Sequence, residues 1–342
     1  MFHRVLVPLD GSARAERALP VAARLARTLD GTLILVRVVQ PPLQPATSLA
    51  PLLDVETSIL LERRNAAAAY LTHVAHHPDL AGIKHEQVAL VGYPAEMILD
   101  AVHASRADII ILCSHGRTGL LRWALGSVAQ RVIHHAPVPV LVLHEQGPIP
   151  DAQRPLRALV PLDGSWLAEA ALGPAAALVS ALAPRGQGRL HLVQVVAPPS
   201  AEREENTQAA HDVRDRDAVL RQAQDYLRRT AEHLLQGPLA HLQIEITWSA
   251  LVDQDVAGVL IDLAQSGTSP QGTENKGRFD LVVMALHGQG GWHRWVMGSV
   301  TERVLQASKI PLLVIRPKEM TVTSLLHSAQ TPKEATPING IL

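Results

Sequence analysis

Two stretches of this 342-residue chain set glycine and serine where a backbone could grip an anion. CSHGRTGLLRWALGSV separates Gly116 from Gly126-Ser127 by nine residues, and ALHGQGGWHRWVMGSV separates Gly288 from Gly298-Ser299 by the same nine. Each stretch follows an aliphatic run and opens a helical pattern. Glycine lets backbone N–H groups approach a ligand closely. The start of a helix adds unpaired donors and the positive end of its dipole. A serine hydroxyl there can supply one more hydrogen bond, so such a loop suits phosphates. Glycines ahead of a helix also serve tight packing, and the spacing alone leaves both readings open.

Other chemistry-bearing residues gather nearby. Asp10 and Asp163 each follow the apolar start of the string VPLDGS, where a carboxylate can bind a ligand or cap the next helix. Arg117 stands in the first loop where the second has Gln289, and Arg122 and Arg294 sit on turns that face either phosphate or solvent. His115 and His287 lie inside the loops with no nucleophile or paired acid beside them, so they read as packing residues, as do Trp123 and Trp295. His73, His76 and His77 share a helix face at ligand-like spacing, but 17 histidines make chance clustering the simpler account. Neither a GxxxxGK[ST] string nor a His-Gly-His pair is present.

The elements that position these residues come twice. RVLVPLDGS from Arg4 matches RALVPLDGS from Arg157, and AERAL from Ala15 matches AEAAL from Ala168. LILVRVVQPP from Leu33 matches LHLVQVVAPP from Leu190, and RWALGSVAQRV from Arg122 matches RWVMGSVTERV from Arg294. The order is kept while the separation grows, which marks a duplication whose second copy gained loop residues. Each repeat predicts a strand (3–9; 157–162), an alanine-rich helix capped by Ser12 or Ser165, and a strand (32–39; 189–196) ending at a double proline. A long amphipathic helix (54–78; 207–236) and a third strand (84–91; 241–248) follow. A further helix then leads to a strand opening at Asp108 or Asp280, the glycine loop, a helix from Gly126 or Gly298, and a last strand (139–144; 311–316). Strands separated by helices of this length imply βαβ crossovers and hence a parallel, doubly wound sheet. The expected units are 1–146 and 155–318, joined by a Gly- and Pro-containing linker (145–154), with an inserted loop at 265–278 and a mobile tail at 319–342.

Composition narrows the class. Apolar residues make up 47% and charged residues 18%, as in a globular chain, while aromatics are only 3%, so aliphatic side chains must fill the core. Fully aliphatic strands are those of a parallel sheet covered on both faces. A net charge of −1 offers no footprint for nucleic acid or an anionic membrane. Cys113 is the only cysteine, which excludes an intrachain disulfide and a thiolate metal cluster. It ends an aliphatic strand and reads as buried and inert. The N-terminus runs into a strand with no basic leader, and the alanine-rich run near 168–184 is broken by Gly173 and Pro174, so the expectation is a cytoplasmic protein. The charged stretch 202–229 reads as the solvated face of a helix.

Over nearly the whole chain the loops, the VPLDGS strand ends and the closing strands resemble the universal stress protein family, whose signature is Gly-x2-Gly-x9-Gly-Ser/Thr. The resemblance implies two tandem doubly wound parallel five-stranded sheets, Rossmann-like and similar to adenine nucleotide α-hydrolases, paired as an intrachain pseudo-dimer through 138–144 and 310–316. It also implies ATP, with Mg²⁺ or Mn²⁺, as the ligand, and a regulatory or stress-response role with little or no catalysis. The phosphates then fall to Gly116, Gly126, Ser127 and Val128, and to Gly288, Gly298, Ser299 and Val300. The adenine side falls to Asp10 and Val38, and to Asp163 and Val195. This sequence departs from the signature at its first glycine, which is Cys113 in one repeat and Ala285 in the other. An interaction protein of this fold that takes no nucleotide, or a slow ATPase, are the alternatives, and further homo-oligomerisation is left open. The first repeat keeps Arg117 and Gly92-Tyr93-Pro94 where the second has Gln289 and WSALVDQDV, so the first is expected to bind more tightly.

Overall fold

The computed structural model describes residues 1–41, 53–114, 125–151, 153–184, 186–198, 208–237, 239–267, 277–286 and 297–317. The first repeat runs β1 (Arg4–Leu9), α1 (Ala13–Glu16), α2 (Ala18–Thr28), β2 (Thr32–Val39), α3 (Leu53–Ala75), β3 (Lys84–Val91), α4 (Pro94–Ser105), β4 (Ile109–Cys113), α5 (Ser127–His135) and β5 (Val140–Leu143). The second runs β6 (Leu156–Pro161), α6 (Trp166–Glu169), α7 (Leu172–Leu182), β7 (Gly188–Val196), α8 (Gln208–Gln236), β8 (Ile244–Val252), α9 (Val256–Ser266), β9 (Leu281–Ala285), α10 (Ser299–Ala307) and β10 (Leu312–Ile315).

Within each repeat the strands are parallel, in the order β3-β2-β1-β4-β5 and its counterpart β8-β7-β6-β9-β10. The two blocks meet edge to edge. β5 and β10 pair antiparallel, Leu141 opposite Leu313 and Val140 opposite Val314, so all ten strands form one sheet. Strand alternation splits the core in two. Leu33 and Leu35 face one layer with α2, α3, α7 and α8, whereas Ile34 and Val36 face the other with α4, α5, α9 and α10. Small residues allow close approach in the first layer, where the buried Ala22 and Ala26 of α2 share a cluster with Ala175 and Ala176 of α7.

One strand differs from expectation. The third strand of the second repeat covers Ile244–Val252, not 241–248, because β8 pairs along the whole of β7, from Gly188 opposite Ile244 to Val196 opposite Val252. WSALV therefore lies inside the strand, and the turn that follows is formed at residues 253–255. Residues 268–276 of the expected insertion and the expected tail at 319–342 lie outside the described residues. Among the described residues no helix is long and apolar enough to cross a membrane.

Candidate functional site

The sheet opens where its order reverses. β1 pairs with β4 only at Val5–Ile109 and Leu6–Ile110, and the ladder then stops, so the carboxyl halves of the two strands part from each other while each stays paired to its outer neighbour, β2 or β5. β6 and β9 repeat this, with pairing at Ala158–Leu281 and Leu159–Val282 alone. At the amino ends the strands are tied by aspartates: Asp108 accepts the His3 and Arg4 N–H groups at 2.9 and 3.1 Å, and Asp280 accepts that of Arg157 at 3.0 Å. The crevice thus lies at the carboxyl ends, the usual ligand position of open α/β sheets.

On one lip stands Asp10. Its Oδ1 accepts from the Ser12 N–H at 2.9 Å and from Ser12 Oγ at 2.6 Å, while Ser12 Oγ accepts from the Ala15 N–H at 3.2 Å. Ser12 is therefore the helix cap, and Asp10 holds the cap in place. Asp163, Ser165 and Ala168 reproduce the arrangement at 2.9, 2.5 and 3.1 Å. Val38 and Val195, half-buried near the ends of β2 and β7, pack on the core layer that carries α4, α5, α9 and α10.

On the other lip the chain returns to the strand end to start a helix. The Gly126 N–H donates to the Ser114 carbonyl at 2.8 Å, and the Gly298 N–H to that of Leu286 at 2.9 Å. Both glycines are N-caps in extended conformation with no side-chain cap, so α5 and α10 begin without the serine cap that closes α1 and α6. Ser127 and Ser299 are exposed at these helix starts, beside Val128 and Val300. Cys113 and Ala285 are buried at the strand ends. Gly116 and Gly288, together with His115, Arg117, Arg122, Trp123, His287, Gln289, Arg294 and Trp295, lie outside the described residues.

Beside α5 an open cleft of about 520 Å³ is lined by Gln40, Tyr93, Ser127, Gln130, Arg131 and His134, among others. Burial, then the neighbouring His135, hold His134 below the ordinary histidine value, against an opposing pull from Glu302. The cleft therefore carries the Arg131 charge with His134 neutral near pH 7.

Sequence reasoning missed a second cluster at the β1 end. The Arg37 guanidinium lies 4.3 Å from the centre of the Tyr70 ring and covers Gly11, whose φ of +82° suits glycine. Tyr70 Oη donates to Glu16 at 2.7 Å, and Tyr226 Oη to Glu169 at 2.8 Å. Burial and then the glutamate raise both phenols above their ordinary value, so both remain protonated donors. The repeat carried a trace of this: Glu16 and Glu169 are matched in AERAL and AEAAL. Their tyrosine partners lie on α3 and α8, where no alignable motif marks them. His76 and His77 serve the helix end, His76 bonding the Thr72 carbonyl and His77 capping Asp79.

The Universal stress protein family model matches residues 1–144 and 270–316. Universal stress protein MJ0531 of Methanocaldococcus jannaschii is 33% identical over 144 residues, covering 42% of this chain and 82% of that protein. A universal stress protein of Mycolicibacterium smegmatis is 25% identical over 331 residues, covering 92% of this chain and 98% of its own. The crystal structure of a universal stress protein from Archaeoglobus fulgidus shares the fold, with a TM-score of 0.59 at 21% identity over 92% of this chain and 99% of that one.

Proposed function

This chain belongs to the universal stress protein family, and from that premise we propose that it is a cytoplasmic regulatory module that binds adenine nucleotide at its strand ends with little or no turnover. The observation that carries the reading is the paired Gly-Ser helix start. Gly126-Ser127 and Gly298-Ser299 return to the ends of β4 and β9, at the open crevice, with no side-chain cap on either helix. First-turn N–H groups that lack a capping side chain are suited to phosphate oxygens. Asp10 and Asp163, held by their serines on the facing lip, suit the adenosine end.

Among the described residues no group of three or more His, Cys, Asp or Glu side chains is placed to hold a metal ion. The ion would fit this site as a companion of the triphosphate, with the hydroxyl of Ser127 or Ser299 at the helix start available to help hold it. It would supply neutralisation of phosphate charge. Backbone donors that grip ground state and transition state alike give no rate advantage, which supports binding without appreciable turnover.

The second reading, an interaction protein that takes no nucleotide, draws on Cys113 and Ala285, whose β-carbons stand where the signature has glycine. Heat-denaturing the purified protein and assaying the released solute separates the two. The nucleotide reading expects adenine nucleotide, and calorimetry with ATP and Mg²⁺ that registers binding. A chain that releases none, and binds none at millimolar concentration, is the interaction protein. A steady-state ATPase rate above roughly 1 s⁻¹ that Gly126→Asp abolishes would make it an enzyme.

A further inference from the structure

The two repeats part company at one arginine. Arg131 and Arg303 occupy the same position in RWALGSVAQRV and RWVMGSVTERV, at the fifth residue of α5 and α10, one turn after Ser127 and Ser299. In the second repeat Arg303 is held by Asp255 in a two-pronged pair, Nη1 to Oδ1 at 2.5 Å and Nη2 to Oδ2 at 2.8 Å. Asp255 is also the N-cap of α9, accepting the Gly258 N–H at 3.0 Å, and Arg303 foremost keeps its carboxyl below the usual carboxylate range. In the first repeat the N-cap of the equivalent helix is Tyr93, which makes no side-chain cap and stands 57% exposed. Among the described residues, the carboxylate that Arg131 meets is Glu96, at a long 3.7 Å with both side chains more than half exposed, and Arg131 lines the 520 Å³ cleft together with Tyr93 and Ser127.

We propose that this position decides which repeat takes nucleotide. Arg131 pairs with the phosphates of a nucleotide seated at Gly126-Ser127, while Asp255 withholds Arg303 from the same task in the second repeat. The assignment rests on the nucleotide reading given above. A guanidinium already bound at both prongs by a carboxylate must give up two charge-assisted bonds before it can serve a phosphate, and the carboxylate left behind repels the incoming anion. The loose Glu96 contact sets no such barrier for Arg131. Tyr93 adds an exposed aromatic edge to the first cleft, where the second repeat presents a carboxylate.

The test is calorimetry with ATP and Mg²⁺ on the full chain, with melting curves to establish that each variant folds. Wild type is expected to show one tight site. Arg131→Gln should weaken it about tenfold or more, the usual loss for a charge-assisted contact. Tyr93→Asp, which offers Arg131 the clamp found in the second repeat, should weaken it as well. Asp255→Asn keeps an N-cap oxygen but loses the charge, and should bring up a second site. If Arg131→Gln leaves affinity unchanged while Gly126→Asp abolishes binding, the nucleotide reading stands and this assignment falls. Two equal sites in the wild type, or no gain from Asp255→Asn, also overturn it. If wild type binds no ATP at millimolar concentration, both fall together.

Discussion

His191 is the residue whose environment has the most to say about stability. It lies 4% exposed in β7, its Nδ1 2.8 Å from Thr247 Oγ1 and its Nε2 2.8 Å from Ser249 Oγ, with Phe279 packed 5.6 Å away. Burial foremost, then the Arg157 charge, lowers its pKa to about 4 from 6.5. As pH falls below 6.5 the unfolded chain takes up the proton first, so stability present at neutral pH is lost progressively down to about pH 4 and then levels off. The loss amounts to about 3 kcal/mol. Urea unfolding of wild type and His191→Gln, which stays neutral but keeps bonds to both hydroxyls, should show the variant losing that much less between pH 7 and 4. Equal losses would place the acid sensitivity elsewhere. The counterpart in the first repeat is Ile34, so the repeat gave no warning of a polar core position. The same holds for Asp255–Arg303 and for Arg37 over Tyr70. What the repeat shares was legible as motif, whereas what distinguishes the copies arises from contacts between positions far apart in the chain.

Among elements, α1 and α5 begin in opposite ways, and that contrast can be measured. Ser12 closes α1 by accepting from Ala15, so Ser12→Ala should cost about 1 kcal/mol and also release the hold on Asp10. Gly126 leaves α5 without a side-chain cap, and its φ of −60° and ψ of 143° are open to any residue. Aspartate there would cap the helix and favour its dipole, so Gly126→Asp should hold or raise the melting temperature, by up to about 1 kcal/mol of stability, while abolishing nucleotide binding. Gly298→Asp should behave alike in stability, since among the described residues an added Cβ meets nothing nearer than the Leu286 carbonyl at 3.6 Å. A destabilised Gly126→Asp would mean that the glycine serves packing rather than an anion. Element types and order were readable from periodicity, double prolines and the Asp-Gly-Ser turns. The end of β8 was not, because an apolar run such as WSALV fits strand or turn until its partner β7 is in place.

At the scale of the molecule, the antiparallel seam is what turns two five-stranded blocks into one sheet. An edge strand of aliphatic residues invites uncontrolled pairing, and β5 and β10 answer this by pairing with each other. The outer edges are managed differently: β3 presents exposed Lys84, His85, Glu86 and Gln87 along its first half, and β8 presents exposed Glu245. Further ties cross between the repeats. Arg17 donates to the Gly147 carbonyl and Arg24 to that of Pro150, strapping the segment between repeats to α1 and α2, and α2 packs on α7. At the centre of the seam Leu141 and Leu313 stand directly opposite, both fully buried. Each Leu→Ala change should cost about 2–5 kcal/mol through lost transfer energy and the cavity left behind. Because the two side chains share one space, the double variant should be less destabilised than the sum of the singles, by about 0.5–1 kcal/mol. Urea unfolding of the four proteins measures that coupling. Strict additivity, to within about 0.3 kcal/mol, would mean that the two leucines answer to separate cores and that the blocks merely touch.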